Sequence, residues 1–106
     1  MQKFFSFLFL SLFFCLNNIQ AQEASAPSII RGLQFYNEAK FDQALSEFSK
    51  VLAKDPSNIE AHYYRGLTFL KAEKNTEAVA PFKKVLELDP AYSGAHRNLG
   101  IVYFNL

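Results

Sequence analysis

The chain has 106 residues, half of them apolar, with 11 basic side chains against 10 acidic ones. That length holds at most one small domain. The near-balance of charge excludes the positive excess of a surface built for phosphate backbones, so no nucleic-acid partner is expected. A single cysteine, Cys15, supports neither a disulfide framework nor a cysteine metal cluster.

The chain opens with a strongly apolar segment. Lys3 is its only charge before Gln22, and Phe4 to Leu16 is interrupted only by Ser6 and Ser11. Such a run is too short to cross a bilayer core, which needs about 20 apolar residues in a helix. Ile19-Gln20-Ala21 then puts an aliphatic and a small residue at the two positions a signal peptidase inspects. The pattern predicts a signal peptide over residues 1–21, cut after Ala21, and an exported protein, periplasmic or extracellular and of bacterial type. The membrane is expected to matter only during export.

Residues 25–58 laid over 59–92 without a gap match at 12 of 34 positions, where composition alone would give about two. The matches include Arg31/Arg65, Gly32/Gly66, Phe35/Phe69, Ala44/Ala78, Phe48/Phe82 and Asp55-Pro56/Asp89-Pro90. A third copy starts at Ser93, with Ala95, His96 and Gly100 in register, and covers residues 93–106.

Each unit reads as two helices. In the first, Asp42 is the expected cap of the second helix, which Asp55-Pro56 ends, because a proline disfavours the α conformation in the residue before it. In the second, Ala61 to Ala72 forms the first helix. Asn75 or Thr76 is the expected cap of the next, whose buried stripe is Ala78, Phe82, Val85 and Leu86. Pro81 lies near the start of that helix and predicts a mild bend. Gly32 and Gly66 each precede an alanine, Ala44 and Ala78, by the same interval, so glycine is expected to face alanine where the two backbones approach. A glycine inside a helix is about 1 kcal/mol worse than alanine, so its recurrence needs a packing reason.

These residues resemble the tetratricopeptide repeat family, whose 34-residue pattern is a helix-turn-helix. The shared positions are the glycine (Gly32, Gly66, Gly100), the aromatic after it (Phe35, Phe69, Tyr103), the alanine (Ala44, Ala78), the next aromatic (Phe48, Phe82) and the closing proline (Pro56, Pro90). The chain departs at the family's early tryptophan, here Ser28, His62 and His96, and at the leucine before the glycine, here Arg31 and Arg65. The resemblance implies an all-α fold, an α-solenoid of antiparallel helix hairpins in a right-handed superhelix whose first helices line a concave groove.

It also implies a non-enzymatic scaffold that binds a peptide or helical segment of a partner protein in that groove. Carried over by position, the groove residues are Ile29, Leu33, Tyr36 and Asn37, then Tyr63, Leu67, Leu70 and Lys71, then Arg97, Ile101, Phe104 and Asn105. In each set the first three lie at i, i+4 and i+7, one stripe of a helix; ordinary core packing between repeats is the competing reading of the same stripe. The family's clamp for a terminal carboxylate is not expected, because Ile29, Leu33, Tyr64, Arg97 and Ile101 stand at its positions. His62 and His96 share a repeat position, but two imidazoles are too few for a structural zinc site, and packed or half-exposed histidines are expected instead.

No cofactor, metal, catalytic group or small-molecule substrate is expected, since the acids Glu47, Glu60, Glu77 and Glu87 are scattered on polar faces. The stretch Val102 to Leu106 leaves apolar groups uncovered, which predicts a fragment of a longer protein or self-association through that end. The rival reading is the extracytoplasmic front of a larger signalling protein, with a membrane span and a kinase or regulator domain downstream.

Overall fold

The computed structural model describes residues 29–106. The expected signal segment, its cleavage site, Cys15 and Ser28 lie outside them. The described residues form α1 (Ile29–Asn37), α2 (Phe41–Lys54), α3 (Ile59–Lys71), α4 (Asn75–Leu88) and α5 (Ser93–Asn105), with no strand among them. Each helix packs on its neighbours in sequence, and the first helices of successive units, α1 with α3 and α3 with α5, also touch. The all-helical architecture is the expected one.

The turn inside each unit is built from backbone. Ala39 and Glu73 sit at φ of 59° and 61°, the left-handed region that closes many helix ends. After Ala39, the Lys40 amide donates back to the Phe35 carbonyl (2.8 Å), while Ala39 donates to Tyr36 (3.1 Å). Lys74 to Phe69 (2.9 Å) and Glu73 to Leu70 (3.0 Å) repeat the pattern. This pair of bonds satisfies the free carbonyls at a helix C-terminus.

The expected side-chain caps are corrected by that geometry. Lys40 and Lys74 occupy the N-cap positions of α2 and α4, and neither helix has a side-chain cap bond there. Asp42, Asn75 and Thr76 fall inside the first turn. The left-handed residue brings the chain around so tightly that the helix begins immediately after the lysine. Asn75 instead accepts at Oδ1 from Asn105 Nδ2 across to α5 (3.1 Å).

Between units the Asp-Pro turn works differently. The carboxylates of Asp55 and Asp89 accept from the amides of Ser57 (3.3 Å) and Ala91 (3.1 Å), local bonds typical of aspartate in turns. Asn58 then caps α3 by accepting from the Ala61 amide at 2.9 Å. His62 and His96 complete the device. The Nε2 of each lies 2.8 Å from the carbonyl oxygen of the proline six residues earlier, Pro56 or Pro90, and donates to it. Where the family pattern has a tryptophan, this chain fastens the turn with an imidazole, which commits one ring nitrogen and explains the recurrence without a metal.

Inside the hairpins the close packing expected at the glycine is supplied by an aromatic ring. A Cβ on Gly66 would stand 2.7 Å from Phe82 Cε1 and 2.8 Å from its Cζ, and one on Gly32 would run into the Phe48 ring. The aromatic side chain four residues beyond the alanine fills the space over the glycine. Ala44 and Ala78 are themselves fully buried, but the steric requirement comes from the ring. Phe48 and Phe82 are fully buried, and each contributes roughly 1.5–3 kcal/mol through the apolar surface it removes from water.

A buried cluster joins Ala78, Phe82 and Val85 of α4 to Ala95, Leu99 and Val102 of α5, with Ile59, Tyr63, Leu67, Phe69 and Leu70 of α3 packed against it. Pro81 is buried within α4, which runs unbroken through it. The two units differ at one buried pair. Glu47 of α2, only 6% exposed, faces Arg31 (4.0 Å) and Lys50 (3.4 Å). In the second unit the matching positions hold Arg65 and Pro81. Arg65 lies over the Phe69 ring (5.7 Å to the centroid), and its buried Nε has no hydrogen-bond partner.

Candidate interaction surface

The first helices, α1, α3 and α5, are joined by a run of aromatic and amide contacts. The Lys71 ammonium of α3 sits 4.4 Å from the centre of the Tyr36 ring of α1, a cation–π contact worth about 0.5–1 kcal/mol where exposed. Tyr64 stacks on Phe48 of α2 (6.1 Å between centroids, planes 22° apart). Tyr63 meets Tyr64 at 5.6 Å, Phe82 at 5.9 Å and Tyr92 at 5.0 Å. Its hydroxyl accepts from Asn98 Nδ2 of α5 (3.1 Å), and the same amide donates to the Gly94 carbonyl (2.8 Å).

This placement raises the pKa of two tyrosines, Tyr36 and Tyr92. Burial pushes the Tyr36 hydroxyl above its ordinary value of 10.0, and the neighbouring Tyr63 and Tyr64 add to it. Tyr92 is raised mainly by burial, then by Tyr63, Tyr64, Glu60 and Asp89. Both side chains are therefore neutral at physiological pH and keep their hydroxyl hydrogens for hydrogen bonding.

The residues expected to line a groove fall into three groups. Ile29, Leu33 and Tyr36 are half-buried along α1, and Asn37 is exposed at its end. Tyr63, Leu67 and Leu70 are half-buried and pack on the cluster between α4 and α5, so part of their surface belongs to the core, while Lys71 reaches out to Tyr36. On α5, Arg97 and Asn105 are exposed, as are Ile101 and Phe104, at 44% and 90%. The structure brings Tyr36 and Lys71 into direct contact.

Two residues outside that set turn out to organise the surface. Asn98 holds the Tyr63 hydroxyl, and Tyr92 covers the same ring from the loop before α5. Asn98 was detectable, since Ala95, Leu99 and Val102 mark the buried stripe of its helix and an amide on that stripe needs a partner. Tyr92 carries no such signal, lying in a turn beyond the helical periodicity.

A model of the tetratricopeptide repeat family matches residues 31–93. No curated protein matches the chain. Tetratricopeptide repeats are typically non-enzymatic modules that mediate contacts between proteins, and the paired helices of the described residues agree with the match. The chain belongs to the tetratricopeptide repeat family.

Proposed function

We propose that this chain is a protein-interaction module that takes a peptide or helical segment of a partner protein against its first helices, acting outside the cytoplasm after export. The observation that carries the reading is the row of half-buried tyrosines along the touching first helices α1 and α3, Tyr36, Tyr63 and Tyr64, with the Lys71 ammonium over the Tyr36 ring. It is edged by the exposed cations Lys71 and Arg97, on helices that the second helices hold from behind. A rigid row of half-exposed rings offers contact area at low ordering cost, and interfaces are enriched in tyrosine and arginine for that reason. In a right-handed superhelix these first helices form the concave side. Apolar side chains at one-turn intervals on the partner are its natural complement.

The test is selection of binding peptides from an unbiased display library against the full chain, followed by affinity measurements with variants. Tyr63 and Leu67 also hold the fold together, so the informative substitutions are at exposed positions: Lys71→Ala, Arg97→Ala and Asn37→Ala on the first helices, against Ser49→Ala and Lys84→Ala on the second. Selected peptides should lose affinity only with the first group. Peptides that respond to the second group and ignore the first would sink the assignment.

A further inference from the structure

Four tyrosines meet where α1, α3 and the turn before α5 adjoin. Tyr63 touches Tyr64 and Tyr92, at 5.6 and 5.0 Å between ring centres, and both Tyr63 and Tyr64 lie within electrostatic reach of the Tyr36 and Tyr92 hydroxyls. All four are half-buried, so part of each ring stays accessible. The polar atoms they offer are donors. The Tyr63 hydroxyl accepts from Asn98, which leaves its own hydrogen to give, and neither the Tyr36 nor the Tyr64 hydroxyl bonds to another described residue. Lys71 adds an ammonium that pairs with no carboxylate among the described residues. No acidic side chain occurs on α1, and that of α3, Glu60, lies about three helical turns from Lys71.

From this arrangement we infer that the partner segment is an extended, proline-rich one in the polyproline II conformation, with an acidic side chain beside its prolines, lying across α1 and α3 at the tyrosine cluster. The inference rests on the function proposed above and narrows its ligand. A polyproline II segment has no internal hydrogen bonds and its prolines have no N–H, so its carbonyls need donors while it brings few donors of its own. The free phenol hydrogens of Tyr36, Tyr63 and Tyr64 meet that need. A partner α-helix spends its carbonyls on itself, and would leave the same phenols facing side chains only.

Spacing and charge agree with this occupant. The first helices α1 and α3 touch, and packed helices lie about 8–10 Å apart between axes. A polyproline II turn of three residues advances about 9 Å, so successive turns of the segment reach successive first helices, whereas an α-helical turn advances about 5.4 Å. Aromatic rings receive proline rings, and the segment is already ordered before it binds. Its carboxylate meets the Lys71 ammonium, the unpaired charge beside the Tyr36 ring, and this complementarity selects against basic proline-rich segments.

The experiment titrates the full chain into fluorescently labelled peptides of equal length and follows anisotropy. The peptides are repeated Pro-Pro-Glu triplets, repeated Ala-Ala-Glu, repeated Pro-Pro-Lys, and an amphipathic helix of the same charge as the first. The Pro-Pro-Glu peptide should bind about tenfold or more tightly than each of the others. Tyr36→Phe and Lys71→Ala should each weaken it by about two- to tenfold, the worth of one hydrogen bond or ion pair, with Ser49→Ala unchanged and circular dichroism the same for all. Preference for the amphipathic helix, weakened by Lys71→Ala, overturns the proline-rich occupant and leaves the surface itself in place. Equal binding of the Glu and Lys peptides overturns the acidic requirement. Tight binding of the Pro-Pro-Glu peptide that ignores both variants overturns its placement on the tyrosines. Failure of that peptide to bind overturns the inference, and the display selection then judges the underlying function independently, by whether any peptide binds the first helices.

Discussion

Gly66→Ala and Gly100→Ala change the same repeat position by the same methyl group and should act in opposite directions. In a helix interior, alanine is favoured over glycine by about 1 kcal/mol, because it restricts the unfolded backbone and exposes less of it to water. At Gly66 that gain is opposed by the Phe82 ring, whose Cε1, Cζ and Cδ1 lie 2.7–2.9 Å from the new methyl carbon, all closer than carbon atoms pack. Phe82 is fully buried and is held at its edge by Tyr63, so it cannot swing away without disturbing α3 and α5. Overpacking of this kind costs about 1–3 kcal/mol, and after the helix gain the net loss for Gly66→Ala should be up to about 2 kcal/mol. At Gly100 nothing stands within 4 Å, so the helix preference acts alone and Gly100→Ala should stabilise by about 0.5–1 kcal/mol. Thermal melts followed by circular dichroism would read the pair as Tm shifts of opposite sign. Each kcal/mol is worth about 4–8 °C for a domain of this size. A Gly66→Ala chain that melts at or above the parent temperature would refute the argument that the ring over the glycine is what excludes a side chain.

The other predictions follow from single features. Ala39→Gly and Glu73→Gly should each raise stability by about 0.5–1 kcal/mol in urea titrations, because both residues hold a left-handed conformation that glycine adopts without strain; loss of stability would argue against strain at those turns. His62→Ala should lower stability by about 0.5–1.5 kcal/mol, the worth of one hydrogen bond, through loss of the bond to the Pro56 carbonyl, with His62→Gln the conservative control. Stability should fall as pH rises above 10, because the folded chain keeps the Tyr36 and Tyr92 protons to higher pH than the unfolded chain does. The part of that stability is fully present below the ordinary tyrosine value and is lost through the raised ones, so the urea midpoint of Tyr36→Phe should decline less steeply in alkali. Pro81→Glu should stabilise more than Pro81→Ala in the same titration, since both restore the helix amide but only glutamate offers Arg65 the partner that Glu47 gives Arg31; equal gains would remove the pairing from the explanation.

Much of the fold was legible because its determinants are local and repeated. The 34-residue register, the Asp-Pro stops and the apolar stripe through Ala78, Phe82 and Val85 are statements about neighbours in sequence, and the helices obey them. The caps were not legible, because an Asp or Asn near a helix start signals a cap only if the preceding turn is open. Here Ala39 and Glu73 close the turn in a conformation that neither residue type announces. The role of the repeat glycine was half legible. Its recurrence demanded close packing, but whether an alanine or a ring fills the space depends on how far the second helix slides along the first, which spacing alone does not fix.

The candidate surface was legible to a similar degree, and for a related reason. Stripe positions such as Tyr63 and Leu67 follow from helical period, but the same period serves core and surface, and only packing distributes each side chain between them. Tyr63 shows how the division is made. Its ring is consumed by Phe82, Tyr92 and Tyr64, and its hydroxyl by Asn98, so it fixes the spacing of α3 and α5 more than it offers area to a ligand. Lys71 shows the converse. Its stem and charge lie along Tyr36, yet the residue remains exposed, so a partner carboxylate can compete for the ammonium while the ring stays to receive an apolar side chain. On the function proposed above, recognition would rest on exposed groups at the edges of the stripe, held in place by half-buried tyrosines, and a substitution that weakens binding without unfolding the chain is to be sought at the edges.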